Sequence, residues 1–464
     1  MTARRLPLEQ KAFWIAIILS QVIVGLAILI IPFPYGLSLI ALIPLLIIFY
    51  SKPILGLLLL VPFFPNYPVF LYSIGEIRVR LVDPFIVLAL ISWFFMCMRT
   101  MKIKLYSSPI DIAIFLFIGW SFLSFLWTPN TTGGLVQILK IITGLVIYYL
   151  HVNMIEDKKD FDLLLHTWII VAILFSIVGL LETLLYGIEA ASKLVISPVG
   201  TTKLTRAVRT SAFTLGPDTL GFILSIAFIL VIIKYQITSS KKWRILLLMS
   251  LPLMFFVLMS TFSRSVYLAL FVAVFYLSLR SGRILKIIIV ISVVGSLLFL
   301  LLGVGGFLDV LVYRIETFFM SPEVAIEDRV IMWRLASKLF TESPIVGNGI
   351  ASFILTARIG ALPLQTPHNI YLYTLVEYGL IGFMLFLFWG FQIMKGFMEF
   401  HKSNKDKSAD LISTGMTCGF IIVLIMAGFR NIGLVEPLFW GFLGLSSAFL
   451  KVYIPKKNNE SNII

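Results

Sequence analysis

Long apolar runs, separated by short polar segments, set the rhythm of this chain. Runs over 12–31, 35–50, 53–66, 81–98, 109–127, 133–150, 161–182, 211–233, 245–261, 264–279, 285–303, 368–394, 410–429 and 434–450 each predict a helix. Most approach the roughly 20 residues that cross a hydrocarbon core. The third is short and proline-rich at its end, which suits a tilted or re-entrant segment. The apolar stretch from Ile245 to Leu279 is too long for one span, and the polar run from Ser260 to Ser265 (STFSRS) splits it. Two connections are more than tight turns, 183–210 and 303–367. The second contains helix-like stretches at Leu308–Phe319 and Asp328–Thr341. In the latter, Val330, Ile331, Arg334, Leu335 and Lys338 recur at helical spacing, a pattern suited to the membrane surface. Loops of this length are usually functional or disordered, and apolar periodicity favours function. The pattern as a whole predicts an all-α polytopic membrane protein of about 14 transmembrane helices, within a range of 12–14, and a long outer loop containing short helices. It divides into an N-terminal bundle (1–208), a core (209–394) that includes the 303–367 loop, and C-terminal helices with a cytoplasmic tail (395–464).

Composition narrows the class. The chain is 59% hydrophobic and 13% charged, with a mean hydropathy of +1.02, whereas soluble domains are about 45–50% apolar and about 25% charged. A soluble enzyme, a disordered chain and a disulfide-stapled secreted domain are excluded. Cys97 and Cys418 lie inside apolar runs and offer neither a disulfide framework nor a cysteine metal site. Arg4, Arg5 and Lys11 precede an apolar stretch longer than a signal-peptide core and without a small-residue cleavage site, so it is expected to be a retained first span.

Charge then gives orientation. There are 37 Lys and Arg against 23 Asp and Glu, a net +14. Alternating the spans from a cytoplasmic N-terminus puts 23 of the 37 basic residues in inner segments, at least one in each, with both termini cytoplasmic. The inner side then nets +13 and everything else about +1. The excess is an orientation signal, and its spread over every inner loop argues against nucleic acid as a partner. The other 14 basic residues are Arg78, Arg80, Lys140, Lys193, Lys203, Arg206, Arg209, Arg264, Arg314, Arg329, Arg334, Lys338, Arg358 and Arg430. All but Lys140 fall on the outer side or at outer helix ends. Arginine forks match phosphate geometry, so the set suits an anionic, phosphorylated ligand. Pairing with Glu323, Glu327, Asp328 and Glu342 is the structural alternative.

Within this set Arg264 stands where a span begins, with Ser263 as its expected N-cap, so its guanidinium and the free N–H groups of the helix can converge on one phosphate. His151, His166 and His401 map to the inner side, which leaves His368 as the outward imidazole. Thr366 and Pro367 before it read as a helix start with proline at the first helical position. The positive end of that helix is expected to lower the ring's pKa, and a neutral imidazole there can accept a proton from an attacking hydroxyl. Glu377 lies deeper and about half a turn around from His368, and is read as structural, since intramembrane carboxylates usually have a partner. Lys140, one turn past Gln137, serves equally as a phosphate contact or as the buried partner of a carboxylate. Asp83 and Asp111 look like ordinary acids of a first helical turn. The Gly347-Asn348-Gly349 turn indicates a tight loop. Nothing in the sequence demands a metal ion or other cofactor.

Four blocks, in order, resemble the O-antigen ligase/polymerase superfamily of bacterial glycan-assembly proteins. They are Arg209 to Pro217 (RTSAFTLGP); Ser263-Arg264-Ser265; Arg329 to Trp333 (RVIMW) followed by Ser343 to Gly349 (SPIVGNG); and Pro367-His368-Asn369 followed by Val376 to Gly382 (VEYGLIG). They cover about 209–382; the first two hundred residues match in hydropathy alone. The chain departs from the pattern at Ala212 and Asp218, where Gly and Asn are commoner. The resemblance implies a metal-independent, inverting glycosyltransferase of the C type in the bacterial inner membrane, with its site facing outward. Its donor would be an undecaprenyl-diphosphate-linked oligosaccharide, which enters sideways from the membrane lipid, and its acceptor a glycan hydroxyl. His368 would be the base, and Arg209, Arg264, Arg329 and Lys140 the diphosphate contacts. Asn369, Glu377 and Arg206 would support them. The span count leans toward a polymerase of surface-polysaccharide repeats, with a chain-length regulator as a possible partner. A ligase acting on lipid A core or protein is the alternative. A flippase for lipid-linked oligosaccharide, from another class, would need access from both sides and short outer loops, against which the 303–367 loop argues.

Overall fold

A computed structural model describes residues 46–65, 70–74, 77–101, 106, 109–190, 210–212, 214, 216–280, 322–360, 366–404, 406–430 and 434–454, with scattered residues between 282 and 295. Helices dominate: α1 (Ile54–Leu60), α2 (Val82–Thr100), α3 (Pro109–Leu123), α4 (Thr131–Met154), α5 (Lys158–Ala190), α6 (Pro217–Ile237), α7 (Lys241–Ser260), α8 (Arg264–Arg280), α9 (Pro322–Glu342), α10 (Ser352–Ile359), α11 (Ile370–Ser403), α12 (Lys407–Ala427) and α13 (Pro437–Tyr453). Eight of them (α2–α7, α11 and α12) are long and apolar enough to cross a membrane, with α3 extended by a 3₁₀ turn through Trp127. The chain is a helical, multi-pass membrane protein. Several of the fourteen expected spans, including 12–31, fall wholly or partly outside the described residues.

Among the described residues, the structure departs from the all-helical expectation in one place. Phe70–Ile74 (β1) and Ile77–Arg80 (β2) form an antiparallel hairpin, with Ile74 opposite Ile77 and Phe70 opposite Arg80. Arg80 ends it by gripping Asp83 at 2.8 Å and reaching the Val435 carbonyl at 3.3 Å. Asp83 is thus half of an ion pair as well as a first-turn acid. Asp111 likewise accepts the Tyr148 hydroxyl at 2.9 Å. The turn expected between 260 and 265 is where α7 gives way to α8.

At the centre of the bundle stand α6, α12 and α13. Every residue of α6 from Thr219 to Lys234 is buried, and so is every residue of α13 from Pro437 to Leu450. A helix apolar all round belongs in such a core. Around them α4 packs on α13, α8 on α12 and α6, and α3 on α11. Small residues permit close approach, with Gly144 against the Trp440 indole and Gly444 against the His151 ring. The chain reversals α7–α8 and α12–α13 and the starts of α4, α6 and α11 share one end of this bundle.

Against that end lie α9 and α10. The expected stripe on α9 is displaced: Met332, Ala336 and Leu339 are buried, flanked by Ile331, Leu335 and Phe340, and they pack on Phe353, Tyr373 and Val376. This apolar face covers α11, so it is occupied by protein. Similarly, α5 continues to Ala190, into the segment expected to be a loop.

Candidate functional site

Helix α11 starts later than its sequence suggests. Asn369 is the N-cap, its side-chain oxygen accepting from the N–H groups of Tyr371 at 3.0 Å and Leu372 at 3.1 Å. Pro367 is therefore not the first helical residue, and His368 lies just outside the helix in the left-handed region at φ 49°. That conformation is costly for a residue with a Cβ, and it persists where surrounding contacts impose it. One such contact is evident: the Trp333 indole N–H donates to the Pro367 carbonyl at 2.9 Å. Arg329 precedes Trp333 by one turn on α9, so the bond that fixes Pro367 also brings Arg329 to the histidine.

His368 is half-buried, and its pKa is lowered first by burial and then by Arg329 and Arg430, with Asp218 opposing. The expected lowering is present, but its causes are desolvation and two guanidinium groups. The ring is neutral at physiological pH and able to accept a proton. Three elements distant in sequence thus converge on it: the first turn of α6 (Asp218), α9 (Arg329) and the turn after α12 (Arg430). The sequence named Arg430 only as one of fourteen outer basic residues and Asp218 only as a departure from the first block, and placed neither beside the histidine. Arg430 carried a signal, as an arginine between two spans on the histidine's side. Its Nη2 stands 3.7 Å from Glu436 Oε1, and burial pushes the Glu436 carboxyl up while Arg430 opposes the shift.

Arg264 opens α8 as expected. Ser263, at the capping position, has its hydroxyl 3.2 Å from that of Ser265. Helices α6 and α8 touch where Gly221 admits the Val266 side chain, within about one turn of Asp218 and Arg264. Arg206 and Arg209 lie outside the described residues. The residues that follow them are anchored: Thr210 N donates to Ser260 O at 3.1 Å, and the Glu182 carboxylate accepts from the N–H groups of Ser211 at 3.1 Å and Ala212 at 2.6 Å. Lys140 sits within α4, one turn past Gln137. Its neighbour Gln137 donates to the Tyr373 hydroxyl.

Glu377 is fully buried, with the Tyr373 hydroxyl, the Gln137 amide and the backbone N–H groups of Ala351 and Phe353 as the polar groups about its carboxylate. It marks a feature that hydropathy concealed, because α11 breaks two residues later, at Gly379 (φ 65°, ψ −169°). The freed backbone groups are taken up by the 344–349 loop. Asn348 N donates to Val376 O at 2.8 Å and Gly349 N to Glu377 O at 3.0 Å; Leu380 N donates to Pro344 O at 2.9 Å and Ile381 N to Ile345 O at 3.2 Å. A Cβ on Gly379 would stand 2.2 Å from Ile345 O, and one on Gly347 would stand 2.4 Å from Gly379 N. The two glycine-bearing blocks are halves of one joint, which corrects the reading of Gly347-Asn348-Gly349 as only a tight loop. The residues after α3 clasp the same loop: Trp127 Nε1 donates to Gly347 O at 3.1 Å and Asn130 Nδ2 to Ala351 O at 3.0 Å.

Ala212, Phe262, Ala351 and His368 are non-glycine residues with positive φ, and all four lie within or beside the sequence blocks at this end. Strain gathered at one place is a common mark of a functional site.

Comparison with protein families adds an independent finding. Residues 249–387 match the family described as O-antigen ligase. The match takes in the C-terminal part of α7, all of α8, α9 and α10, His368 and the Gly379 joint, and supports the O-antigen ligase/polymerase superfamily as the one the chain resembles. That family implies membrane glycosyl transfer of the O-antigen ligase/polymerase type, with lipid-linked glycans as substrates. The chain matches no curated protein sequence.

Proposed function

We propose that this protein polymerises surface-polysaccharide repeat units at the outer face of the bacterial plasma membrane, using an undecaprenyl-diphosphate-linked glycan as donor. The observation that carries the reading is His368, a neutral imidazole held in a strained backbone conformation beside Arg329. In the reaction the acceptor hydroxyl gives its proton to His368 while its oxygen bonds to the donor's anomeric carbon. The bond from that carbon to the diphosphate breaks, the electron pair leaves with the diphosphate, and the configuration inverts. Arg329 and Arg264, with Arg209, stabilise the departing diphosphate, and this charge neutralisation requires no metal ion. Asn369 supports the base by capping α11 directly behind it. Glu377 supports it through the joint that holds the loop. The outward placement of the site, with both termini cytoplasmic, rests on the distribution of basic residues.

The test is purified enzyme with a lipid-linked repeat unit, without added metal, comparing wild type with His368→Ala and Arg264→Ala. A ladder of products from wild type, lost in both variants, is expected. Single transfer to a lipid A core in place of a ladder would make the protein a ligase. Full activity in both variants would overturn the site.

A further inference from the structure

An apolar cleft of about 440 Å³ lies between α11, α12 and α13, lined by Tyr371, Phe386 and Trp389 of α11, Val423 and Ala427 of α12, and Phe439 of α13. Each of these helices ends in a charged or titratable group at the same end of the cleft. His368 precedes Tyr371 by three residues, just outside α11. Arg430 follows Ala427 by three residues, with the chain still turning through the Gly428 N to Ile425 O bond at 3.0 Å. Glu436 precedes Phe439 by three residues, and its carbonyl accepts from Phe439 N at 3.2 Å. The Tyr371 hydroxyl donates to Leu424 O at 2.7 Å, fixing the α11 and α12 walls to each other. The cleft is thus an apolar slot with a polar, cation-bearing rim, shaped for a molecule with a long hydrocarbon chain and an anionic head.

At that rim Arg430 is only loosely engaged. Its separation from Glu436, 3.7 Å, exceeds hydrogen-bonding reach. Its Nη1 is buried with no hydrogen-bond partner among the described residues. A buried guanidinium N–H without a partner is costly, and a phosphate oxygen satisfies it in a bidentate geometry that a carboxylate at this distance does not supply.

We propose that the cleft between α11, α12 and α13 seats the isoprenoid chain of the donor, and that Arg430 grips its lipid-proximal phosphate. The sugar-bearing phosphate is thereby directed toward His368 and Arg329. The proposal rests on the glycosyl-transfer reading only for the identity of the donor. The chemistry of the cleft is that of a lipid diphosphate.

The full-length protein in lipid nanodiscs provides the test, with undecaprenyl diphosphate carrying no sugar as the probe, and undecaprenol and phosphatidylglycerol as comparators. Wild type is expected to bind the diphosphate at least about tenfold more tightly than the alcohol, the scale of one charge-assisted contact. Arg430→Ala should weaken diphosphate binding by about that factor, the share of this one contact, while leaving undecaprenol binding intact, which also reports that the variant is folded; Arg430→Lys should restore part of it. A side chain at Gly390 has room, since a Cβ there would meet only Phe420 at 3.8 Å. Gly390→Leu should therefore fill the cleft and weaken both isoprenoids. Unchanged diphosphate binding in Arg430→Ala, no effect of Gly390→Leu, equal binding of phosphatidylglycerol, or no binding by wild type would each overturn the proposal. Arg430-dependent lipid binding by a wild type that transfers no glycan would uphold this site and defeat the proposed function.

Discussion

Helices α6 and α11 begin at the same end of the bundle and pass through the same protein, yet they are built on opposite plans. From Thr219 to Lys234, α6 is regular and buried on all sides, and its backbone hydrogen bonds stay within the helix. Helix α11 is interrupted at Gly379, and the four backbone groups freed there bond to a loop some thirty residues earlier in the chain. The first plan makes a stable post. The second trades regularity for a fixed junction between a membrane helix and the α9–α10 segment that carries Arg329 to His368. Irregular backbone inside a membrane protein is tolerated where protein covers it, and here the cover is the element that completes the site.

This contrast is broken most sharply at the joint. Gly379→Ala combines a positive φ with a Cβ 2.2 Å from a carbonyl oxygen, and should cost about 3 kcal/mol or more. Thermal unfolding in detergent should show a large drop in Tm together with lost activity. Gly119→Ala on α3, where a Cβ meets nothing within 4 Å, should leave Tm unchanged or raise it by the helix-propensity gain of up to about 1 kcal/mol. Equal effects of the two changes would refute the joint.

Asn348→Ala comes next. It removes side-chain bonds to Leu339 O at 2.8 Å and Val376 O at 3.3 Å but keeps the backbone bond, so a loss of about 1–2 kcal/mol is expected in the same assay.

A smaller effect appears in the pH profile. Because burial and two arginines lower the His368 pKa, its basic form persists below pH 6.5, and the acid limb of kcat/KM should lie below that value. Arg329→Ala should move the limb up toward 6.5 by removing a cation. Asp218→Asn should move it further down, by removing the carboxylate that opposes the shift. A limb unaffected by either change would mean that another group titrates. Stability has the same sign: the folded protein resists protonating His368, so this group costs stability as pH falls through about 6.5 toward its lowered pKa.

The mildest change is Ala212→Gly. Ala212 has φ 45°, and glycine relieves that strain while losing unfolded-state rigidity, for a net gain of up to about 1 kcal/mol in thermal unfolding. Destabilisation instead would show that the methyl group's packing outweighs the backbone.

What the sequence revealed follows the same division. Spans such as α6 were legible because each is specified by its own residues, as was the α7–α8 turn, announced by the polar run at 260–265. His368 emerged by elimination, since topology removed the other three histidines. The interruption of α11 stayed hidden because apolar residues continue across Gly379, and the cause lies in a different segment. The cap at Asn369 displaced the expected start of α11 because an asparagine side chain outcompetes a proline signal two residues earlier. Arg430 was visible only as one outer arginine among many, and its place and that of Asp218 beside His368 come from the packing of α6, α11 and α12, which no local pattern encodes.

The joint at Gly379 also bears on the order in which the protein is made. Trp127 and Asn130, which clasp the loop, and residues 344–349, which meet the break, all precede Gly379 in the chain. A ribosome working from the N-terminus has therefore delivered each of these partners before the broken helix emerges. The carbonyls of Val376 and Glu377 can pass directly from the insertion machinery to waiting N–H donors. With the order reversed, an unpaired stretch of backbone would have to wait in lipid, where each unsatisfied group costs several kcal/mol.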